Sequence, residues 1–319
     1  MMTNARRWLA DRPWIWPFVV ALALWAAILV LSQGRGGMAV MSAALQFATF
    51  FVIVGIGQML VITAGPGNVD LSIPGIVTFS AFVGLSFMAG ANDGVVLGLA
   101  LGVGVGLATG LVNAFLIRVL AIPPMIATLA VGFVLHSMAS AYSRFTAAKP
   151  PPLLADFMAS RVFGNPTVAI VFIVVTLIVG EILRRTTFGR AILAVGQNDR
   201  AAYLTGIRVG RTVEAVYVLS GVFASICGIL LGVFAGGASL DMGSDFILMS
   251  IAVVVLGGTA ISGGHAVPVG LWGAATLLQL LVTMLNVVGV PNGIRHTITG
   301  AIIIGVLAIG GGRSQGVAR

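Results

Sequence analysis

The stretch Gly94-Val95-Val96-Leu97-Gly98-Leu99-Ala100-Leu101-Gly102-Val103-Gly104-Val105-Gly106-Leu107-Ala108-Thr109-Gly110-Leu111-Val112-Asn113-Ala114-Phe115-Leu116-Ile117 carries no charge and stops at Arg118. It exceeds the roughly 20 apolar residues that a helix needs to cross a bilayer's hydrocarbon core. Within lipid the backbone must satisfy itself, which leaves helices and closed barrels. Glycine recurs at Gly98, Gly102, Gly104, Gly106 and Gly110. Small residues let helix backbones approach closely where lipid gives them no solvophobic reason to associate. These glycines are therefore expected to pack one span against others.

Outward from this window the pattern repeats. Apolar windows fall at 14–31, 43–63, 72–89, 94–117, 122–142, 167–183, 213–235, 246–262, 267–289 and 294–311, about 10 spans. The whole chain of 319 residues is 59% hydrophobic and 8% charged, with mean hydropathy +1.11. Soluble domains carry about 25% charged residues. The expectation is an all-α, polytopic transmembrane helical bundle forming a single domain over 1–319, with no folded aqueous domain. The first window is too long for the apolar core of a cleaved signal and lacks a small-residue cleavage site, so it is read as a span. The 43–89 region has room for a broken or re-entrant segment.

The net charge of +8 does not point to nucleic acid. The basic residues form no finger, helix or aromatic platform, and they sort instead as topology signals. Placing both termini in the cytoplasm puts twelve of the 17 basic residues inside, among them Arg118, Arg184, Arg185, Arg190, Arg200, Arg208 and Arg211. Five remain outside: Arg35, Arg144, Lys149, Arg161 and Arg295. Only two connections are long. The outer one, 143–166, holds Lys149-Pro150-Pro151-Pro152, whose prolines favour a stiff extended stretch. The inner one, 184–212, concentrates charge and offers two short helices, the second capped by Asp199. Edged by arginines and carrying Phe188, Leu193 and Leu204, it suits either docking of a partner or a charged loop that only orients its spans.

Ionisable and polar groups inside spans are costly unless paired or wet. Asp70 leads them, in Ala64-Gly65-Pro66-Gly67-Asn68-Val69-Asp70-Leu71-Ser72-Ile73-Pro74, where glycine and proline interrupt apolar flanks. Asp70 and Ser72 are expected to accept from backbone N–H groups at the start of the next helix, with direct solute contact as the alternative. Gln58, Asn113, Thr128, Gln279 and Asn286 join them as candidates for the translocation path or for helix–helix bonds, followed by His136, Arg295, His296 and Thr299. No carboxylates accompany His136 or His265 at ligand spacing, so no metal site is expected. The one cysteine, Cys227, excludes an internal disulfide. No phosphate-cradling sequence is present, and no catalytic constellation is evident, so the chain is not expected to be an enzyme.

Four stretches resemble one family. The loop Thr186-Thr187-Phe188-Gly189-Arg190, Val195-Gly196-Gln197-Asn198, Ala201-Ala202 and Gly206-Ile207, with Val216-Tyr217-Val218-Leu219-Ser220-Gly221 after it, is the first. Gly57-Gln58-Met59-Leu60-Val61-Ile62-Thr63 with Val69-Asp70-Leu71-Ser72 is the second. Asn113-Ala114-Phe115-Leu116-Ile117 with Ile122-Pro123-Pro124-Met125-Ile126-Ala127-Thr128-Leu129 is the third. Ile251-Ala252-Val253-Val254-Val255-Leu256-Gly257-Gly258-Thr259, then Gly263-Gly264, is the fourth. In this order, over about 45–311, they resemble permeases of the ribose/xylose/arabinose/galactoside branch of ATP-binding-cassette importers. The family's usual Gly-Gly-Ile-Asp-Leu-Ser stands here as Gly-Pro-Gly-Asn-Val-Asp-Leu-Ser, one residue longer.

The resemblance implies a vitamin-B12-importer-like permease fold in a bacterial inner membrane. It implies a second permease copy or a related permease, a pair of cytoplasmic ATPase subunits that bind ATP and Mg, and a periplasmic solute-binding protein. No cofactor is implied in this chain. The solute is expected to be a sugar or related small polar molecule, moved by alternating access. The ATPase contacts it implies are Phe188, Gly189, Arg190, Gly196, Asn198, Ala201, Ala202 and Gly206, within 184–212. Two other classes stay open: an ion-coupled secondary transporter, needing a relay near midplane, and an intramembrane enzyme, needing convergent catalytic groups.

Overall fold

The computed structural model describes residues 12–34, 36–146, 148–291, 293–295, 297–301 and 304–305. In chain order the helices are α1 (Trp16–Leu31), α2 (Gly37–Thr63), α3 (Ile73–Met88), α4 (Val95–Arg118), α5 (Pro124–Tyr142) and α6 (Pro152–Ala159). After a minimal hairpin, β1 (Arg161–Val162) and β2 (Asn165–Pro166), come α7 (Thr167–Arg185), α8 (Thr187–Gln197), α9 (Asp199–Leu204), α10 (Val209–Phe234), α11 (Phe246–Leu256) and α12 (Gly270–Val287). Among the described residues seven helices are long and apolar enough to cross a membrane.

Two expected spans are shorter than the sequence suggests. The window 72–89 is α3, 16 residues long, and the window 246–262 is α11, only 11 residues. α11 stops because Gly257-Gly258 follows it, with Gly258 at φ 91°. A side chain would be strained there, whereas glycine turns freely. The expected last span, 294–311, lies largely outside the described residues, although 293–295, 297–301 and 304–305 are helical. The all-α bundle thus stands, without a count of ten. The break expected within 43–89 is present: α2 ends at Thr63 and α3 begins at Ile73. In the 143–166 connection Pro151 is extended, but Pro152 starts α6, since proline suits a helix's first position.

α2 and α10 form the centre, buried along most of their length. α4 meets α3 and α10 through its glycines. A β-carbon on Gly106 would overlap the Gly221 carbonyl oxygen, and one on Gly98 would lie 2.5 Å from that of Gly84. Gly104 is different, because nothing lies near it.

The two ends of the bundle are distinct. At one, Arg118 ion-pairs with Glu214, and Glu181 holds Arg184 and Arg185, each at 2.6 Å. There too Gly264 N–H donates to the Thr63 carbonyl at 2.9 Å. At the other end Leu153 N–H donates to Asn92 Oδ1 at 2.9 Å, and Gly90 lies beside Lys149.

Candidate functional site

Five of the sequence candidates converge on the break before α3. Asp70 is 1% exposed. Its Oδ1 accepts from the Ser72 N–H at 3.0 Å and the Ser72 hydroxyl at 2.5 Å, and its Oδ2 accepts from Ser220 Oγ on α10 at 2.7 Å. Asn113 Nδ2 on α4 donates to Ser72 Oγ at 2.8 Å. Gln58 Oε1 accepts the Asp70 N–H at 3.2 Å, and Thr128 Oγ1 accepts the Leu71 N–H at 3.0 Å. Four helices thereby bond to one break, as buried backbone polar groups require. Ser72 departs from expectation: it caps no backbone N–H, and links Asn113 to Asp70 instead. Two atoms of this polar knot, Gln58 Nε2 and Asn113 Oδ1, are buried with no partner among the described residues.

Gln279 and Asn286 do not join the knot. Gln279 is half-buried on α12, where its carbonyl accepts from Thr283 Oγ1 at 2.8 Å, and Asn286 is exposed near the end of that helix. His296 lies outside the described residues. Ser220 was visible only as part of a motif. Nothing in spacing joins it to Asp70, 150 positions away.

Beside the knot lies a cavity of about 220 Å³, bounded by Leu71, Pro74 and Thr78 of the break and α3, by Gly132 and His136 of α5, and by Asp241 and Ser244. The segment 236–245 dips back along α3, so that a β-carbon on Gly243 would overlap the Pro74 carbonyl oxygen. His136 also opens a shallow groove of about 620 Å³ along α5, past Ser137 and Ser140 to Arg144. A membrane helix does not present such a face to lipid at low cost. Among the described residues, no group of three or more His, Cys, Asp or Glu side chains is placed to hold a metal ion.

The 184–212 loop folds as two short helices. Thr186 Oγ1 accepts from Gly189 N–H at 3.0 Å to cap α8, and Asn198 Oδ1 accepts from Ala201 N–H at 2.9 Å to cap α9. Asn198, and not Asp199, is thus the second cap; Asp199 accepts the N–H of its neighbour Arg200 at 2.7 Å. The eight candidate contacts divide. Gly189, Gly196 and Ala202 face inward and are buried, Phe188 is half-buried, and Arg190, Asn198, Ala201 and Gly206 are exposed. A β-carbon on Gly189 would overlap the Ile182 carbonyl oxygen, and one on Gly196 that of Thr63, with Gly264 N 2.4 Å from it as well. The outward face carries Tyr203 at 71% and Leu204 at 77% exposure, and Tyr203 had escaped sequence reasoning.

The family described as "Branched-chain amino acid transport system / permease component" matches residues 40–307. The "Autoinducer 2 import system permease protein LsrD" of Photorhabdus temperata is 31% identical over 297 residues, covering 91% of this chain and 89% of that protein. Proteins of the same name from Yersinia pseudotuberculosis (strain YPIII) and Yersinia pestis (strain Pestoides F) are 30% identical over 298 residues, with the same coverage. No solved structure matches.

Proposed function

Because the chain belongs to the branched-chain amino acid transport system / permease component family, we propose that it imports a sugar-like solute under the drive of ATPases docked on its 184–212 elbow. It is a transmembrane permease subunit of an ABC-type importer for a small polar solute, and ATP hydrolysis takes place in a separate ATPase subunit. The fold is of the vitamin-B12-importer type, the termini and elbow are cytoplasmic, and the membrane is the bacterial inner membrane. A second copy or a related permease faces the polar groove of α5, and a periplasmic binding protein delivers the solute at the opposite end.

The observation that carries the docking assignment is the elbow's two-sided build. Buried Gly189 and Gly196 press it onto the bundle, while Tyr203 and Leu204 face out among arginines. Exposed aromatic and apolar side chains rimmed by charge are the anatomy of an interaction face. Candidate solutes are the sugars of the ribose/xylose/arabinose/galactoside branch and, from the relatives' name, autoinducer 2. Alternating access would follow from two helix packings biased by the docked ATPases.

The test is Leu204→Glu with a side-specific labelling control. ATPase co-purification should fall roughly tenfold or more, on the scale of losing an apolar hot spot, while the permease stays monodisperse in detergent. Leu204→Cys should label only from the cytoplasmic side. Outward labelling, or solute uptake by the permease alone under an ion gradient, would overturn the assignment.

A further inference from the structure

We propose that the β1–β2 hairpin is an interfacial membrane anchor, whose tip residue Phe163 inserts at the headgroup–acyl boundary of the bilayer. The partner is phospholipid, and the contact is separate from whatever solute is carried.

Val162 pairs with Asn165, so Phe163 and Gly164 alone make the turn, and both have positive φ, 51° and 78°. Two-residue turns of that kind favour Asn-Gly, Asp-Gly or Gly-Gly. Glycine fits the second place. Phenylalanine in the first is a bulky side chain on a backbone it rarely adopts. Packing does not account for it either, because Phe163 is 98% exposed. Nor is the tip loosely held. Arg161 donates to Ser42 Oγ on α2, and Ser42 Oγ donates to the Gly164 carbonyl at 2.9 Å. At the base, the Thr167 N–H donates to the Ser160 carbonyl at 3.1 Å, and Ser160 Oγ donates to Thr167 Oγ1 at 2.7 Å. A strained residue fixed this firmly, with its ring resting on nothing among the described residues, points to a contact outside the chain.

Depth then selects the contact. α7 runs 19 residues from Thr167 to Arg185, about 28 Å, which matches the roughly 30 Å of a hydrocarbon core. Its elbow end is marked by exposed Arg184 and Arg185, so Thr167 stands at the opposite edge of the hydrocarbon. α2 gives the same level independently. From Thr63, beside the elbow, back to Ser42 it rises about 32 Å. The hairpin bonded to Ser42 therefore lies where headgroups meet acyl chains. Phenylalanine is among the side chains that interfacial segments sink at that boundary, and the exposed Arg161 beside it keeps its charge at headgroup level. α8 follows α7 after Thr186 alone. The anchor thus fixes the depth of the far end of the helix that carries the elbow, since interfacial anchors set how a span sits in the bilayer.

The experiment uses the assembled importer in native membranes, with p-benzoylphenylalanine in place of Phe163. Irradiation should give a phospholipid adduct, read as added lipid mass on the peptide that holds position 163. Crosslinking to a soluble partner or to a second copy of the chain, or no adduct, would overturn the anchor. If that variant fails to assemble, spin-labelled Phe163→Cys with Cys227→Ala takes its place, as the full-length chain in phospholipid nanodiscs. Collision rates with oxygen and with an aqueous nickel chelate should put the label about 5–10 Å below the phosphates. A label fully open to the aqueous chelate would overturn the anchor as well.

Discussion

At Asp70, three donors meet one carboxylate, and Ser220 is the sole partner of its Oδ2 among the described residues. Hydrogen bonds between neutral side chains of membrane helices contribute only about 0.6 kcal/mol on average. Leaving a buried polar group unpaired costs more, about 1–3 kcal/mol, and the second figure governs here. Ser220→Ala should therefore lower the unfolding midpoint in detergent by several degrees, at about 2–4 °C per kcal/mol for a chain of this class. An unchanged midpoint would show that Ser220 is dispensable to the knot. Asp70, Gln58, Asn113 and Thr128 were legible in the sequence because polar groups stand out in apolar spans. Ser220 was not, since serines in such helices ordinarily bond their own chain, as Ser250 does to the Ile247 carbonyl and Ser225 to that of Val222. Identity alone does not reveal which serine reaches across.

Helices obey a similar asymmetry. The spans were legible from hydropathy because lipid selects for length and apolarity together, but α11 was overestimated by its flanking apolar residues. Its end is set by what the backbone does at Gly258, which hydropathy does not register. The glycines of α4 were expected to act alike, and four of the five do: Gly98 and Gly102 meet α3 or its neighbours, and Gly106 and Gly110 meet α10. Gly104 packs against nothing. Position on the helix decides the sign of substitution. Gly104→Ala should be neutral or stabilising by up to about 1 kcal/mol, the difference in helix propensity. Gly106→Ala must push α4 and α10 apart, and overpacking of this kind costs about 1–3 kcal/mol. Thermal unfolding of the two variants side by side should separate them, and equal midpoints would refute the stripe.

Over the whole molecule, the elbow and the knot are joined by a short run of backbone. Gly196 of α8 rests on the Thr63 carbonyl at the end of α2, Gly264 N–H bonds to that same oxygen, and the break holding Asp70 begins one residue later. A displacement of α8 is therefore delivered at once to α2, to the turn between α11 and α12, and to the segment bordering the cavity. Packed elements of this kind pass on movement because they switch between discrete arrangements. The inward placement of Gly196 separates two outcomes that family resemblance alone would merge. Were it an ATPase contact, Gly196→Ala would weaken association. As a seam residue, it should leave association intact, since Tyr203 and Leu204 are untouched. Solute moved per ATP hydrolysed should instead fall roughly tenfold, within the 1–3 kcal/mol typical of coupling between sites. Co-purification and uptake measured on the same preparation decide the matter: lost association with unchanged stoichiometry among the remaining complexes would place Gly196 on the docking face, and normal values of both would remove it from the line of transmission.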